Sequence, residues 1–327
     1  MSQCRNTVVT AGDSNYLWGL FLLVASMRAS GMDEPVLVGT KRFGPFHASV
    51  LEQLGGVTLR PLDDFDQSLT CCKAKMMLEA KTDFVTWADS DAFFTGNVSD
   101  RLAPPSPGFI HVRRRTPPEM AGAFPPPYDL SVILPTWRRD VCACAGLAED
   151  DPSVPRPAPA TFLSCSACFA SVARSQERFL RVWDMLMRRL PKGDVGVVNR
   201  ALACYHQLDE SCLNACLTFL PDAPRVTDVY GMDKDPSRFF AHFCGSPKPW
   251  VAWTPRAMRF FDDGCRIVEW AKRERLVLPG PVPYSLDPAH KTSCRLLARP
   301  LVFKTKVENR LRRIARKLAR PETKGEK

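Results

Sequence analysis

The sequence predicts an α/β protein with a mixed, mainly parallel sheet flanked by helices. Two observations lead to this fold class. Short apolar runs of strand length alternate with longer helix-like runs across residues 6–91, and capping or turn residues separate them. The chain has 327 residues, of which 45% are hydrophobic and 24% charged. A chain of this length and composition can bury a large core.

The alternating runs can be assigned in chain order. Strands are predicted at residues 6–11, 35–40, 57–62, 84–91 and 161–172. Helices are predicted at residues 15–30, 46–56, 69–81 and 175–190. The first helix is preceded by Asp13, Ser14 and Asn15, which are residue types that cap helices, and it is followed by Gly31.

Proline-rich sequence interrupts this pattern between residues 102 and 160. We interpret the stretch as an insertion or loop region, with residues 130–134 as a strand inside it. The chain then divides into a main domain, residues 1–275, and a basic C-terminal extension, residues 276–327.

The extension carries a basic amphipathic helix, predicted at residues 303–320. Its apolar residues recur at helical spacing: Phe303, Val307, Leu311, Ile314 and Leu318. Lysine and arginine fill the other face, and the whole chain has a formal net charge of +10. Such a helix can dock on an anionic membrane, pack on its own core, or bind nucleic acid. The charge is concentrated in the tail and is not interleaved with aromatic residues, so we expect no nucleic acid partner.

Several features favour a cytoplasmic protein, with peripheral attachment to the inner face of the membrane. No apolar run reaches the roughly 18–20 residues that a membrane-spanning helix needs. The apolar stretch 16–27 could pass for a signal-peptide core, but the capping residues before it favour a helix of the fold. The 13 cysteines are an odd number and fit free thiols. The cysteine pairs in 142–144 and 165–168 leave a zinc site open as an alternative to buried thiols.

Two aspartates, Asp89 and Asp91, follow an apolar run in the segment TWADSDAFF. Side chains two residues apart on a strand point to the same face, and at the carboxyl end of a parallel strand they reach the ligand crevice of an α/β protein. Two adjacent carboxylates repel each other unless a cation lies near them. A divalent cation would accept both and keep open positions for phosphate. The alternative is a solvated turn after the strand.

A second segment, AHFCGSPKPW, contains His242, Gly245 and Lys248. A histidine can complete a mixed oxygen and nitrogen site for manganese. Glycine allows the backbone to approach a ligand closely, and lysine is a point charge for phosphate. Taken alone, His242 could equally be a core residue.

Together these segments resemble glycosyltransferase family 8, which includes glycogenin and the bacterial lipopolysaccharide galactosyl- and glucosyltransferases. The family pattern His-x-x-Gly-x-x-Lys-Pro-Trp is matched in full at residues 242–250, and its Asp-x-Asp motif is matched at residues 89–91. The resemblance covers most of residues 7–255, with the proline-rich stretch as its poorest part.

The resemblance implies a GT-A fold, which is Rossmann-like, and transfer of a hexose from a UDP-sugar with retention of configuration. It implies Mn²⁺ or Mg²⁺ held by Asp89, Asp91 and His242. The expected contacts to the sugar nucleotide are Ala11, Gly12, Asp13, Asn15, Tyr16, Lys73, Ser90, Gly245 and Lys248. Within this set, Asp13 and Asn15 would bind the uridine and Tyr16 would stack on the uracil, while Lys75 could take the place of Lys73.

Two further family segments match less well. Ser164, Cys165 and Ser166 fall where the family has Asn-Ser-Gly. The family segment Gly-Asp-Gln-x-x-x-Asn is matched at residues 193–199, except that Val195 replaces the glutamine. Asp194 is then the candidate catalytic group at the sugar, although it could simply be a helix N-cap.

The acceptor expected from the resemblance is a glycan or a lipid-linked glycan, as in bacterial surface polysaccharide synthesis. An alternative is a catalytically impaired protein that still binds a sugar nucleotide or glycan, which the two imperfect segments would favour. A nucleotidyltransferase could use the same arrangement of metal and diphosphate, but it would not explain the segment 241–250.

Overall fold

The computed structural model describes residues 6–318 except 126, 160, 161, 163, 197 and 229–238. The chain packs as two compact units, Met1–His242 and Phe243–Lys327, which are described separately below. The boundary that the sequence suggested, at residue 275, falls inside the second unit and stays a prediction.

The first unit contains nine strands and eight α-helices among its described residues. The strands are β1 (Asn6–Asp13), β2 (Val36–Lys41), β3 (Val57–Pro61), β4 (Phe84–Ala88), β5 (Ala92–Phe94), β6 (Phe109–Arg114), β7 (Cys165–Ala173), β8 (Arg225–Asp228) and β9 (Phe240–His242). The helices are α1 (Leu17–Ala29), α2 (Pro45–Glu52), α3 (Lys73–Glu79), α4 (Ser99–Leu102), α5 (Pro117–Ala123), α6 (Leu130–Ala145), α7 (Glu177–Arg188) and α8 (Asp209–Phe219).

Seven of these strands form one sheet in the order β3-β2-β1-β4-β7-β6-β8. All neighbouring pairs are parallel except those that involve β7, which is antiparallel to both β4 and β6. The predicted fold class, a mixed and mainly parallel sheet flanked by helices, is therefore confirmed. Because β7 runs in the opposite direction, its first residues lie at the same edge of the sheet as the last residues of β4.

The central strands are buried on both faces and consist mostly of apolar and small residues. In β7 every residue is buried, and in β1 only Asp13 is partly exposed. Continuous apolar runs of this kind are typical of sheets covered by helices on both sides. The helix α1 is likewise apolar all round and largely buried.

The proline-rich stretch contains more regular structure than its sequence suggested. It supplies the sheet strand β6 and the helices α5 and α6. The strand predicted at residues 130–134 is wrong, because these residues begin α6. Asp129 caps this helix by accepting from the N–H of Ser131 at 2.8 Å. Trp137 is fully buried on the inner side of α6, where its indole N–H donates to the carbonyl of Cys204 at 2.7 Å.

A separate two-stranded sheet, here called the β5–β9 ribbon, joins distant parts of the first unit. Its strands are antiparallel, with Ala92 opposite His242 and Phe94 opposite Phe240. The N–H of Phe94 donates to the hydroxyl of Ser26 in α1 at 2.9 Å. The ribbon begins directly after Asp91 and ends at His242, so it fixes where these two residues lie.

The second unit contains the helices α9 (Phe261–Arg273) and α10 (Lys291–Leu318). Its core includes Trp253, whose ring packs edge-on against Phe243. The turn after α9 places Arg275 at a positive φ of 58°. The N–H of the next residue, Leu276, donates back to the carbonyl of Ala271 at 2.9 Å.

The basic helix predicted at 303–320 is part of α10, and residues 319 and 320 lie outside the described residues. Three of its apolar residues, Phe303, Val307 and Leu311, are exposed. None of the helices that the structure describes is long and apolar enough to cross a membrane.

Candidate functional site

The candidate site lies at the carboxyl edge of β4, near the middle of the large sheet. Asp89 is the first residue after β4, and the turn Ser90–Asp91 leads directly into β5. The parallel neighbour β1 ends at the same edge, and antiparallel β7 begins there. This edge is where open α/β sheets bind their ligands.

Asp89, Asp91 and His242 come together at this edge. Each offers a ligand atom, and the three atoms lie within 4.8 Å of one another. The Nε2 atom of His242 is 3.3 Å from Oδ1 of Asp91 and 3.7 Å from Oδ2 of Asp89. The pairing of Ala92 with His242 in the β5–β9 ribbon produces this closeness. Two carboxylates and an imidazole, all partly exposed, fit a divalent cation such as Mn²⁺.

The protonation of His242 depends on its neighbours. Burial lowers the pKa of the imidazole, but the Cys168 thiol and the Asp91 carboxylate beside it raise the pKa well above the usual value. With no cation bound, a protonated imidazole would offset the repulsion between Asp89 and Asp91. A metal ion would take the place of that proton, so metal and proton compete for the same group.

Lys73 is buried under the site and holds one oxygen of Asp89. Its Nζ atom lies 2.7 Å from Oδ1 of Asp89 and 2.8 Å from Oδ2 of Asp209, and it donates to the carbonyl of Ala167 at 2.9 Å. The indole N–H of Trp87 donates to the same Oδ1 atom of Asp89, also at 2.7 Å. The Oδ1 atom of Asp89 is therefore held by Lys73 and Trp87, while its Oδ2 atom faces His242.

Burial and charge act in opposite directions on the pair Lys73 and Asp209. Burial lowers the pKa of Lys73, but the carboxylates of Asp209 and Asp89 raise it further, so the pKa lies above its usual value. Burial raises the pKa of Asp209 to about 6, against the opposing effect of Lys73. Lys75, the alternative to Lys73, is instead placed over the ring of Phe65, 5.4 Å from its centroid.

Sequence reasoning missed an acidic group at the start of α8. Asp209 contacts Lys73, and Glu210 forms an ion pair with Arg115 and accepts from the N–H of Ala167 at 3.3 Å. Leu208, just before them, has a positive φ of 44°, a strained conformation of the kind that concentrates at functional sites. Two acidic residues at the start of an apolar helical run were the available sequence signal.

The loop after β1 carries the residues expected to bind the nucleoside. Asp13 accepts from the N–H of Asn15 at 3.0 Å and forms an ion pair with Arg42. Because β1 and β4 are adjacent and parallel, this loop and Asp89 lie at the same edge of the sheet. The residues placed there are Ala11, Gly12, Asp13, Asn15 and Tyr16. Their role at a nucleotide stays a prediction.

Asp194 lies in a turn held by Ser68. The hydroxyl of Ser68 donates to Oδ1 of Asp194 at 3.1 Å, and the N–H of Gly196 donates to the same atom at 3.1 Å. Among the described residues from 194 to 208 no α-helix begins, so Asp194 is not a helix N-cap. The ionic contact to Lys73 belongs to Asp209, and the catalytic role of Asp194 stays a prediction.

Gly245 and Lys248 belong to the second unit and follow His242 closely in sequence. Gly245 has a φ of 81°, a conformation that other residues rarely adopt. The Nζ atom of Lys248 donates to the carbonyl of Phe243 at 2.9 Å. The zinc alternative has no support among the described residues, where the cysteines of 142–144 and 165–168 form no metal-binding group.

The fold and the site together define an α/β protein with a candidate divalent-cation site at the carboxyl edge of its sheet. No family model matches the chain, and no curated protein is similar to it. Solved glycosyltransferase structures are similar to it at low sequence identity. The bifunctional glycosyltransferase WbbM, in its apo form, matches over 83% of this chain and 52% of its own, with 14% identity and a TM-score of 0.49.

Two further structures match over similar lengths. The galactosyltransferase LgtC, in complex with donor and acceptor sugar analogues, matches over 82% of this chain and 95% of its own, with 13% identity and a TM-score of 0.48. The glycosyltransferase GlyE of Streptococcus pneumoniae TIGR4 matches over 83% of this chain and 64% of its own, with 12% identity and a TM-score of 0.48. The chain thus spans about half the length of WbbM and nearly all of LgtC.

Proposed function

We propose that this chain is a metal-dependent, retaining glycosyltransferase that moves a hexose from a UDP-sugar to a glycan or lipid-linked acceptor. The observation that carries the proposal is the meeting of Asp89, Asp91 and His242 at the carboxyl edge of β4. These are the three residues that the resemblance to glycosyltransferase family 8 picks out, and they come from segments far apart in the chain. A role in bacterial surface polysaccharide synthesis is part of the proposal.

In this proposal Asp89, Asp91 and His242 hold Mn²⁺ or Mg²⁺. The ion would supply Lewis acidity to the diphosphate that leaves the sugar. Lys73 orients Asp89 by holding its Oδ1 atom, so that Oδ2 stays turned toward His242. Ser90 lies in the turn between the two aspartates, and its proposed contact with the nucleotide follows from that position.

The remaining proposed contacts surround the nucleotide. Asp13 and Asn15 bind the uridine and Tyr16 stacks on the uracil, with Ala11 and Gly12 forming the end of the strand behind them. Lys248 adds positive charge at the diphosphate, and Gly245 lets the backbone approach it closely. Retention through a front-face route, assisted by the leaving phosphate, needs no protein nucleophile, and Asp194 would be a polar group near the sugar.

The basic segment 303–320, whose residues 303–318 belong to α10, is proposed to dock on anionic lipid at the inner face of the membrane. Residues 291–318 contain ten lysines and arginines and one acidic residue, Glu308. Phe303, Val307 and Leu311 are exposed and recur at helical spacing. Each basic residue near an anionic surface contributes about 1 kcal/mol to binding.

Liposome co-sedimentation tests this docking role. The full chain should sediment with anionic vesicles and stay in solution with neutral ones. A chain truncated after Pro300 should lose the binding to anionic vesicles. Equal binding by the truncated and full chains would refute the docking role.

The first test of the enzymatic proposal is UDP release from a panel of UDP-sugars, with and without Mn²⁺. We expect slow, metal-dependent release from one donor, because water can take the place of the missing acceptor. Asp89→Asn should abolish the release, whereas Asp100→Asn, at an exposed aspartate on α4, should leave it unchanged. Near-normal release by the Asp89 variant would contradict the metal assignment.

Calorimetry with UDP and Mn²⁺ separates the remaining outcomes. Binding of UDP without turnover of any donor would favour the alternative, a sugar-nucleotide-binding protein on the same fold. Absence of both binding and turnover would overturn the proposed nucleotide site.

A further inference from the structure

Lys73 connects the candidate metal site to the start of α8. A lysine ammonium group has three N–H donors and no acceptor. Here the three acceptors are Oδ1 of Asp89 at 2.7 Å, Oδ2 of Asp209 at 2.8 Å and the carbonyl of Ala167 at 2.9 Å. All donors of the lysine are therefore in use, and a contact between Lys73 and a phosphate would have to break one of these hydrogen bonds.

Asp209 is held in this place by contacts from α7 and β7. The indole N–H of Trp183 on α7 donates to the carbonyl of Asp209 at 3.1 Å. The carboxylate of the next residue, Glu210, accepts from the N–H of Ala167 on β7 at 3.3 Å. These contacts keep the buried Asp209 carboxylate against the ammonium group of Lys73.

The balance of charge around Lys73 bears directly on cation binding. If Asp89 were its only ionic partner, the lysine would offset most of the negative charge that Asp89 offers to a cation, and this effect is strong at buried groups. Asp209 supplies a second carboxylate for the same ammonium group. With His242 neutral, as a metal-bound imidazole is, the three carboxylates and the lysine leave two negative charges. A divalent cation neutralises this number.

We propose that Asp209 is a positioning residue of the metal site, which balances the charge of Lys73 so that Asp89 stays a strong ligand. The inference rests on the proposed metal site and deepens it, because Asp209 acts on the cation without touching it. Lys73 and the indole N–H of Trp87 both donate to Oδ1 of Asp89 and use its two lone pairs. Asp89 then binds the cation through Oδ2 alone.

The Mn²⁺ affinity of the full chain tests this proposal without any enzymatic activity. Free Mn²⁺ is measured by electron paramagnetic resonance at pH 8 while the ion is titrated into the protein. Asp209→Asn keeps the size of the side chain and an oxygen that can accept from Lys73, but it removes the charge. The variant should bind Mn²⁺ about tenfold or more weakly, the scale seen when a metal ligand loses an outer partner.

The matched control is Asp184→Asn on α7. Asp184 is also buried and forms an ion pair with Arg188, one helical turn further along. Its substitution changes the net charge of the protein by the same amount as Asp209→Asn, but at a separate ion pair. The Mn²⁺ affinity of this control should be unchanged. An equal loss in both variants would mean that overall charge is responsible, and it would overturn the proposal.

The double variant Lys73→Met with Asp209→Asn separates charge balance from a merely structural role. It removes one positive and one negative charge, so the site keeps the same two negative charges as the natural chain, and Trp87 still donates to Asp89. Mn²⁺ affinity should recover most of the loss caused by Asp209→Asn alone. If Asp209 only supports the fold, the added substitution would weaken Mn²⁺ binding further, and that result would refute the charge-balancing role.

The outcomes separate this inference from the proposed function. Mn²⁺ binding by Asp209→Asn that equals that of the natural chain would overturn the role of Asp209 and leave the three-residue metal site intact. Failure of the natural chain to bind Mn²⁺ would overturn both the inference and the metal site of the proposed function.

Discussion

Replacing Lys73 by methionine should strongly destabilise the fold. The side chain of Lys73 is 3% exposed, and its ammonium group is the cation that balances Asp89 and Asp209. Methionine fills a similar volume but leaves the 8%-exposed Asp209 carboxylate without a cation. Breaking a buried ion pair by removing one partner costs about 3–5 kcal/mol of the free energy of unfolding. Asp89 adds less to this cost because it is partly exposed.

The matched control is Lys75→Met, two residues further along the same helix. The Nζ atom of Lys75 contacts only the face of the Phe65 ring among its described partners, at 5.4 Å. A contact of this kind at a partly exposed lysine is worth about 0.5–1 kcal/mol. The two variants change the same residue type on α3, so helix propensity cancels in the comparison.

The assay is urea unfolding followed by circular dichroism at pH 7 and pH 5. The cost of Lys73→Met should be smaller at pH 5, because the Asp209 carboxyl, with a pKa of about 6, is then mostly neutral in both proteins. The double variant Lys73→Met with Asp209→Asn should recover part of the loss at pH 7, with a coupling of about 1 kcal/mol or more. A Lys73→Met cost no larger than that of Lys75→Met, or zero coupling to Asp209, would refute the reasoning.

Three further predictions concern single substitutions. The pKa of Asp209 is raised from 3.8 to about 6, so its contribution to the free energy of unfolding falls as the pH rises through that window. Asp209→Asn should therefore gain stability relative to the natural chain, by up to about 3 kcal/mol between pH 4 and pH 7. Urea midpoints of the two proteins that shift in parallel with pH would contradict this. Arg275→Gly should raise the free energy of unfolding by about 0.5–1 kcal/mol, because the turn after α9 requires a positive φ, and thermal unfolding would measure it. Asp91→Asn should weaken Mn²⁺ binding about tenfold or more in calorimetry, while Asp100→Asn should not change it.

The sequence carries enough information for the first half of the sheet and for the three residues of the candidate metal site. The strands β1 to β4 are short apolar runs with clear turn signals, and Asp89 follows the last of them directly. His242 could be predicted only through its segment, because nothing local places it next to Asp91. Its position depends on the register of the β5–β9 ribbon, which is a long-range contact.

The parts that escaped prediction share a physical cause. The prolines in and before α6, including Pro135, indicate a loop in the sequence. The helix forms because Asp129 caps it and its apolar face is buried. The partner of Lys73 was also out of reach, because Asp209 is brought to it by packing of α8 and not by any local pattern. Short-range rules identify which residues carry charge, but only the tertiary fold decides which charges meet.

In the proposed function, the β5–β9 ribbon would couple ion binding at the candidate site to the local order of the two strands. Each strand of the ribbon has three residues, too few to be stable alone, and the donor atoms of Asp91 and His242 lie at one end of it. An ion that binds the closed ribbon at 100 times its dissociation constant would stabilise the pairing by about 2.7 kcal/mol. Amide hydrogen exchange at residues 92–94 would then slow as the site fills, so the protection of these amides would depend on the free ion concentration.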